Sequence, residues 1–186
     1  MKLDPLLKEY IIEYVDMLDD GKYSEFYRYL EDYAEIIYKS IVGQDVISKI
    51  TQFLLYCGIH PDEHMSKLPS EFLSHAQIKE YSIAEGVTEV GSYAFAGSSI
   101  RKIVLPNSLQ EMQEHVFSDC PNLETVVFGN NLTRVSTYCF YNCPSLKHIT
   151  IPDSLNYVPF GFVENCENLE SITLHNNVTT IEYFLH

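Results

Sequence analysis

The sequence predicts an α+β fold: an N-terminal helical bundle followed by a solenoid of stacked repeats. Three observations predict it. Residues 4 to 57 carry three apolar stripes of helical period, each between a capping residue and a glycine stop. Residues 68 to 186 repeat every 22 or 23 residues. The composition, 46% hydrophobic and 20% charged, is that of a globular chain. The expected division is a bundle over 1–58 that caps the solenoid, a linker over 59–67, and the solenoid over 68–186.

In the first stretch Asp4 can cap a helix with Pro5 in its first turn. Leu7, Ile11, Tyr14 and Leu18 then share a stripe that stops at Gly21. Ser24 can cap the second helix, whose stripe is Phe26, Leu30, Tyr33, Ile37 and Ile41, ending at Gly43. Asp45 can cap the third, with Val46, Ile50, Phe53, Leu54 and Cys57 before Gly58. Three helices with short glycine-bearing links read as a small bundle. The second helix has more apolar and tyrosine surface than one contact needs, with Tyr27 and Tyr38 flanking its stripe. Its plain role is the central helix of the bundle. Its functional role would be a tyrosine-rich binding surface, which marks Tyr27 and Tyr38 as candidates.

The repeat is read by alignment. Ile83, Leu105, Phe128, Ile151 and Leu174 are spaced 22, 23, 23 and 23, and Val90, Met112, Val135, Val158 and Ile181 follow the same spacing. Phe95, Phe117 and Phe140 fill an aromatic position that Val163 takes in the next unit. Ser98, Cys120, Cys143 and Cys166 follow three residues later. A partial earlier unit aligns through Phe72, Ile78 and Ile83. A unit of this length cannot bury its own apolar edge, so four to five units must stack.

The pieces Ser92-Tyr93-Ala94-Phe95-Ala96-Gly97-Ser98 and Leu146-Lys147-His148-Ile149-Thr150-Ile151-Pro152 resemble the leucine-rich repeats of the BspA-like, Treponema pallidum-type family. The resemblance covers residues 68 to 186. It implies a curved leucine-rich-repeat solenoid with one short parallel strand per unit, and repeats that serve as recognition surfaces, often on adhesins at bacterial surfaces.

Alternate strand residues face opposite sides. Ile103, Val126, Ile149 and Ile172 are expected to point inward. Outward, Ser82, Val104, Val127, Thr150 and Thr173 form one ladder, and Glu80, Lys102, Thr125, His148 and Ser171 the next. Rungs about 4.8 Å apart make a strip of roughly 24 Å, enough for a peptide edge or a protein loop. The partner-binding candidates are therefore Tyr27, Tyr38, Glu80, Lys102, Val104, Thr125, Val127, His148, Thr150, Ser171 and Thr173. Asn107, Asn130, Asp153 and Asn176 form a further ladder, expected to serve turns by bonding their own backbone.

Chemistry finds little foothold. Cys120, Cys143 and Cys166 should line up as small buried apolar groups, with Cys139 also in the core. His60-Pro61-Asp62-Glu63-His64 lacks the zinc-protease order and reads as linker. No phosphate loop or nucleophile elbow occurs. No catalytic, cofactor or metal residue is expected, and a site between the domains near His60, His64 and His75 is the third reading, behind a surface adhesin.

Twelve Lys and Arg face 26 Asp and Glu, a net charge of −14. Direct nucleic-acid binding needs a basic stripe and is not expected, nor is a membrane contact. The leading expectation is a stoichiometric protein binder whose partner has a basic surface, such as a phage-type inhibitor of a host nucleic-acid-processing protein. An odd number of cysteines and no apolar segment behind Lys2 suggest the cytoplasm. The C-terminal end, with Tyr183, Phe184 and Leu185, is expected either to fold over the last coil or to join two chains as a homodimer.

Overall fold

Each unit of 22 or 23 residues makes one coil with three sides. The computed structural model describes Ser48, Thr51, Gln52, Leu55 and residues 60–182. After a short 3₁₀ turn over Pro61–His64, one side carries two-residue strands: β1 (Lys67–Leu68), β3 (Glu89–Val90), β5 (Glu111–Met112), β7 (Arg134–Val135), β9 (Tyr157–Val158) and β11 (Thr180–Ile181). A second side carries three-residue strands: β2 (Glu80–Ser82), β4 (Lys102–Val104), β6 (Thr125–Val127), β8 (His148–Thr150) and β10 (Ser171–Thr173). Every pairing is parallel, as stacking of like units requires.

The third side is a run of tight turns, tied coil to coil by the backbone. Phe95, Phe117 and Phe140 donate their N–H groups to the carbonyls of Val116, Cys139 and Phe162 at 2.8–2.9 Å. Two residues per coil, four apart, take positive φ. The first set is Glu71, Tyr93, His115, Tyr138 and Gly161; the second is His75, Gly97, Asp119, Asn142 and Asn165. The left-handed conformation costs an L-residue about 1–2 kcal/mol. The tight turns turn the phenylalanines inward.

The core is a column of rings. Phe72, Phe95, Phe117, Phe140 and Phe162 are fully buried. Phe117 stacks on Phe95 at 5.2 Å and on Phe140 at 5.3 Å. Phe72 and Phe162 meet the column edge-on, at 6.2 and 5.1 Å. Around them pack Leu68, Val90, Met112, Val135 and Val158 from the short strands, and Ile103 and Ile149 from the long ones. Gly129 is needed for close approach: a Cβ there would lie 2.1 Å from the Pro106 carbonyl oxygen.

Three expectations need correction. The chain is a β-solenoid of five coils, not an α+β fold with a helical bundle. Among the described residues only Ser48, Thr51, Gln52 and Leu55 have α-helical backbone, and no bundle forms. Helical period says which residues share a face; a short helix also needs a face to pack on. The first coil draws its core from Met65, Leu68, Phe72 and Leu73. Of the preceding residues, Leu55 packs against the core and buried Ser48 donates to the Ser74 carbonyl. The helices expected over 4–18 and 24–41, with Tyr27, Tyr38 and Cys57, lie outside the described residues.

Secondly, Phe162, not Val163, completes the ring column. The two are adjacent and both buried, so the large side chain occupies the column from the neighbouring position. Thirdly, Asn107 and Asp153 of the expected ladder bond the next coil instead of their own turn. Asn107 Oδ1 accepts the Asn130 N–H at 3.2 Å, and Asn131 Nδ2 donates to the Asn107 carbonyl at 2.8 Å. Glu85 begins that ladder, taking the N–H groups of Asn107 and Ser108 at 2.9 and 3.1 Å. Those donors, Asn107 first, hold its carboxyl below the usual carboxylate range.

Candidate functional site

The long-strand side carries the expected strip. Its register pairs Glu80 with Lys102 and Thr125, and Ser82 with Val104 and Val127. Farther on, His148 pairs with Ser171, and Thr150 with Thr173. Tyr81, Ile103 and Ile149 face the core between them, so alternation sends the candidates outward. Val104 is half-buried; Glu80, Lys102, Thr125, Val127, His148, Thr150, Ser171 and Thr173 are exposed. His148 Nδ1 shares a hydrogen bond with Ser171 Oγ at 2.9 Å, and Arg101 pairs with Glu124 at 2.9 Å beside the strip.

The strip is divided. β6 does not pair with β8, nor β7 with β9. The carbonyls of Val104, Val127 and Thr173 accept N–H groups from Ile83, Leu105 and Ile151 at 2.8–3.0 Å, but Phe128 makes no such bond to Thr150. The turn side stays tied across the same joint, with Phe140 N donating to Phe162 O at 2.9 Å and Asn142 N to Glu164 O at 2.8 Å. Two sides open while one holds, so the coils fan apart there.

One residue accounts for the missing bond on the short-strand side. Gly91, Gln113, Ser136 and Glu182 each donate an N–H to the preceding coil, to Leu68, Val90, Met112 and Val158. The equivalent residue in the fourth full unit is Pro159, which has no N–H to give. The Val135 carbonyl is satisfied by the Tyr157 hydroxyl instead. A buried carbonyl needs some partner, and a tyrosine reaching up from the next coil supplies it.

The fanned joint leaves a groove of about 450 Å³ on the long-strand side. Its floor and walls include Val126, Val127, Phe128, Thr150 and Pro152, and Asn130, Asp153 and His175 stand at its polar end. His175 Nδ1 lies 2.8 Å from Asp153 Oδ1. The groove thus takes in two of the sequence candidates, Val127 and Thr150, and adds an open hollow of mixed apolar and polar lining beside them. Sequence reasoning missed the hollow. Its signal was Pro159, a proline in a ladder position otherwise filled by donors.

The thiols behave as expected of core groups. Cys120, Cys143 and Cys166 are buried, and each donates its S–H to the column phenylalanine of the preceding coil: Phe95 O, Phe117 O and Phe140 O, at 3.1–3.2 Å. Burial pushes the Cys139 thiol up to about 12. A thiol so raised is a poor nucleophile. The linker expected over 59–67 contributes to the first coil: Asp62 is buried and its Oδ2 accepts the Ala84 N–H at 3.0 Å. The His75 ring lies over the backbone of Gly97 in the next coil, 2.4 Å from where a Cβ would stand. Both are engaged in joining coils, and they form no shared acid–base pair.

Known proteins agree with this architecture. The family model described as "BspA type Leucine rich repeat region" matches residues 66–185 in six copies. Among solved structures, the pneumococcal vaccine antigen PcpA aligns with 20% identity and a TM-score of 0.58, covering 62% of this chain and 30% of that one. A leucine rich cell surface protein from Faecalibacterium prausnitzii aligns with 25% identity and a TM-score of 0.57, covering 63% of this chain and 33% of that one. A leucine-rich repeat protein from T. pallidum aligns with 20% identity and a TM-score of 0.45, over 57% of this chain and 62% of that one. The chain spans about a third of the length of the first two. No curated protein matches it.

Proposed function

The chain belongs to the BspA-type leucine-rich repeat family, and from that premise we propose that it is a non-enzymatic protein-recognition module that grips its partner with the long-strand side. The observation that carries the proposal is the groove at the fanned joint, an open hollow lined by Val126, Val127, Phe128 and Pro152 with Thr150, Asn130, Asp153 and His175 beside them, set between two exposed plates of strand residues. An anchor side chain of the partner fills the hollow, while Lys102, Thr125, His148 and Ser171 give polar contacts around it. That is the layout of a protein interface, with an apolar centre and a polar rim.

In its finer form the partner has a basic surface, attracted by the net charge of −14, and the chain acts inside the cell as a stoichiometric binder or inhibitor, as a phage-type inhibitor of a defence protein would. Self-association through the last coil belongs to the same proposal. Leu174 and Ile181 are 39% and 49% exposed there, beside strands that pair on one side among the described residues. Light scattering across a dilution series is expected to show dimer giving way to monomer; a constant monomer mass removes that part.

The second reading is a cell-surface recognition module. It is favoured by the name of the F. prausnitzii protein, a leucine rich cell surface protein. Affinity capture from bacterial lysate and from intact-cell surface fractions separates the two. The proposal expects a protein retained by the wild type and lost with Val127→Arg plus Thr150→Arg, at unchanged thermal midpoint. Equal retention by the variant removes the long-strand side as the binding face.

A further inference from the structure

The turn side carries a feature that the fold does not require. Tyr93, His115 and Tyr138 occupy the same left-handed position in successive coils, at φ 58°, 56° and 59°. Gly161 fills that position in the next coil, so the fold accepts glycine there. Positive φ recurs at this position in every coil, and Glu71 and Gly161 serve there as well, so the turn does not ask for a ring. What the chain gains is a stack of rings. Tyr93 and His115 lie 4.9 Å apart and 4° from parallel, and His115 and Tyr138 lie 5.0 Å apart and 9° from parallel.

Two further rings stand across this stack. Tyr141 is inclined 77° to His115 and 84° to Tyr138, and Phe160 is inclined 83° to Tyr138. The surface therefore has corners in which a flat group can meet ring faces and ring edges together. It is open: Tyr93 and Phe160 are 43% and 40% exposed. Large exposed aromatics collected in this way mark interfaces.

The charge around the rings is of one sign. The turn segments 92–99, 114–122, 137–145 and 160–168 contain Glu114, Asp119, Glu164 and Glu167 and no Lys or Arg. The bases of the described residues, Lys67, Lys79, Arg101, Lys102, Arg134 and Lys147, all lie on other segments. Among the described residues none of those four acids is in an ion pair. Glu164 reaches the rings: its Oε2 and the Tyr138 ring crowd the same space over Gly161, at 3.2 and 2.4 Å from where a Cβ would stand. Glu182 Oε2 accepts the Phe160 backbone N–H at 3.1 Å, at the edge of this surface.

We propose that this ring surface, formed by Tyr93, His115, Tyr138, Tyr141 and Phe160 with Glu164 against it and Glu114 and Asp119 on the same turn segments, is a second docking surface, for an arginine-bearing segment of a protein partner. It rests on the reading of the chain as a protein binder but uses a different side of the coil. Guanidinium groups are planar, stack on aromatic rings and take carboxylates in a fork, so arginine fits this surface better than lysine does. The partner's segment runs along the solenoid axis, meeting one coil about every 4.8 Å.

The test uses the full chain and short Gly-Arg and Gly-Lys repeat peptides of equal charge, followed by fluorescence anisotropy and by two-dimensional NMR of the tyrosine rings. The Gly-Arg peptide is expected to bind more tightly than Gly-Lys, shifting the ring signals of Tyr93, Tyr138 and Tyr141. Tyr93→Ser with Phe160→Ser is expected to weaken binding about tenfold at an unchanged thermal midpoint, and Glu114→Gln with Glu164→Gln to flatten its salt dependence. Val127→Arg with Thr150→Arg, on the other side, leaves this binding in place even where it abolishes capture of the partner, so the two proposals fail separately. Equal binding of both peptides, or no loss in the tyrosine–phenylalanine variant, overturns the inference. So does loss of self-association in that variant, which would assign the rings to a second copy of the chain, or ring shifts produced by a neutral oligosaccharide and not by the arginine peptide.

Discussion

Phe117→Ala should be among the most damaging single changes in the described residues, and the reason lies in its position. The ring is fully buried and stacked from both sides, on Phe95 at 5.2 Å and Phe140 at 5.3 Å. Truncating a buried phenylalanine costs about 3–5 kcal/mol, and each lost ring pair adds about 0.5–1.5 kcal/mol beyond area. Phe162→Ala removes an equally buried ring with one neighbour in the column, at 5.1 Å. Both changes lose the transfer and cavity contribution and one ring pair; the central change loses a second pair and is therefore expected to cost about 0.5–1.5 kcal/mol more than the terminal one. There is also a difference in kind. Each coil touches only its neighbours, so weakening a central contact uncouples the two halves of the solenoid. Urea unfolding followed by far-ultraviolet circular dichroism should show a single transition for the wild type and for Phe162→Ala, and a broadened or two-step transition for Phe117→Ala. Phe117→Leu, which keeps most of the volume, should lose under about 1.5 kcal/mol and stay cooperative. A loss below about 1.5 kcal/mol for Phe117→Ala, or equal losses at both positions, would refute the stacked-column reasoning.

Other consequences follow from single features. The Cys139 thiol, raised by burial from 9.0 to about 12, stays protonated in the folded chain while the unfolded chain ionises. Stability from this group is intact below pH 9 and falls by roughly 1.4 kcal/mol per pH unit from there towards 12. Cys139→Ala should show a shallower decline over that window in urea titrations, and parallel slopes would contradict the assignment. Pro159→Ser restores the missing N–H, and a new backbone bond worth about 1 kcal/mol is set against the lost rigidity of proline, about 0.4–1 kcal/mol. Stability should barely move, whereas the amide at 159 should become protected in hydrogen exchange and the groove should narrow; an unprotected amide denies proline its part in opening the joint. Gly129→Ala forces a Cβ to within 2.1 Å of the Pro106 carbonyl oxygen, and should cost more than about 2 kcal/mol in thermal unfolding. A neutral result would mean the adjacent coils are farther apart than described.

Much of the solenoid was legible because repetition averages out local ambiguity. The spacing of Phe95, Phe117 and Phe140 locates the buried column, and alternation locates the exposed residues Lys102, Thr125, His148 and Ser171. Departures from the repeat were harder to read. Phe162 and Val163 are both apolar, and sequence order alone does not say which reaches the column. Pro159 was visible in the alignment, but its effect is expressed one coil away, in the Val135 carbonyl that turns to Tyr157. The ring stack on the turn side needed the positive φ values of Tyr93, His115 and Tyr138, which no periodicity reveals. Stripes alone point to a bundle, and a stripe names no partner.

The claim beneath all of this is that residues one repeat apart in sequence are neighbours in the core. Nuclear Overhauser spectroscopy on protein labelled only at phenylalanine measures it directly. The account predicts ring-to-ring contacts between Phe95 and Phe117 and between Phe117 and Phe140, each abolished by Phe117→Ala, while the Phe140–Phe162 contact survives. Phenylalanine rings that show contacts only to residues near them in sequence would contradict it.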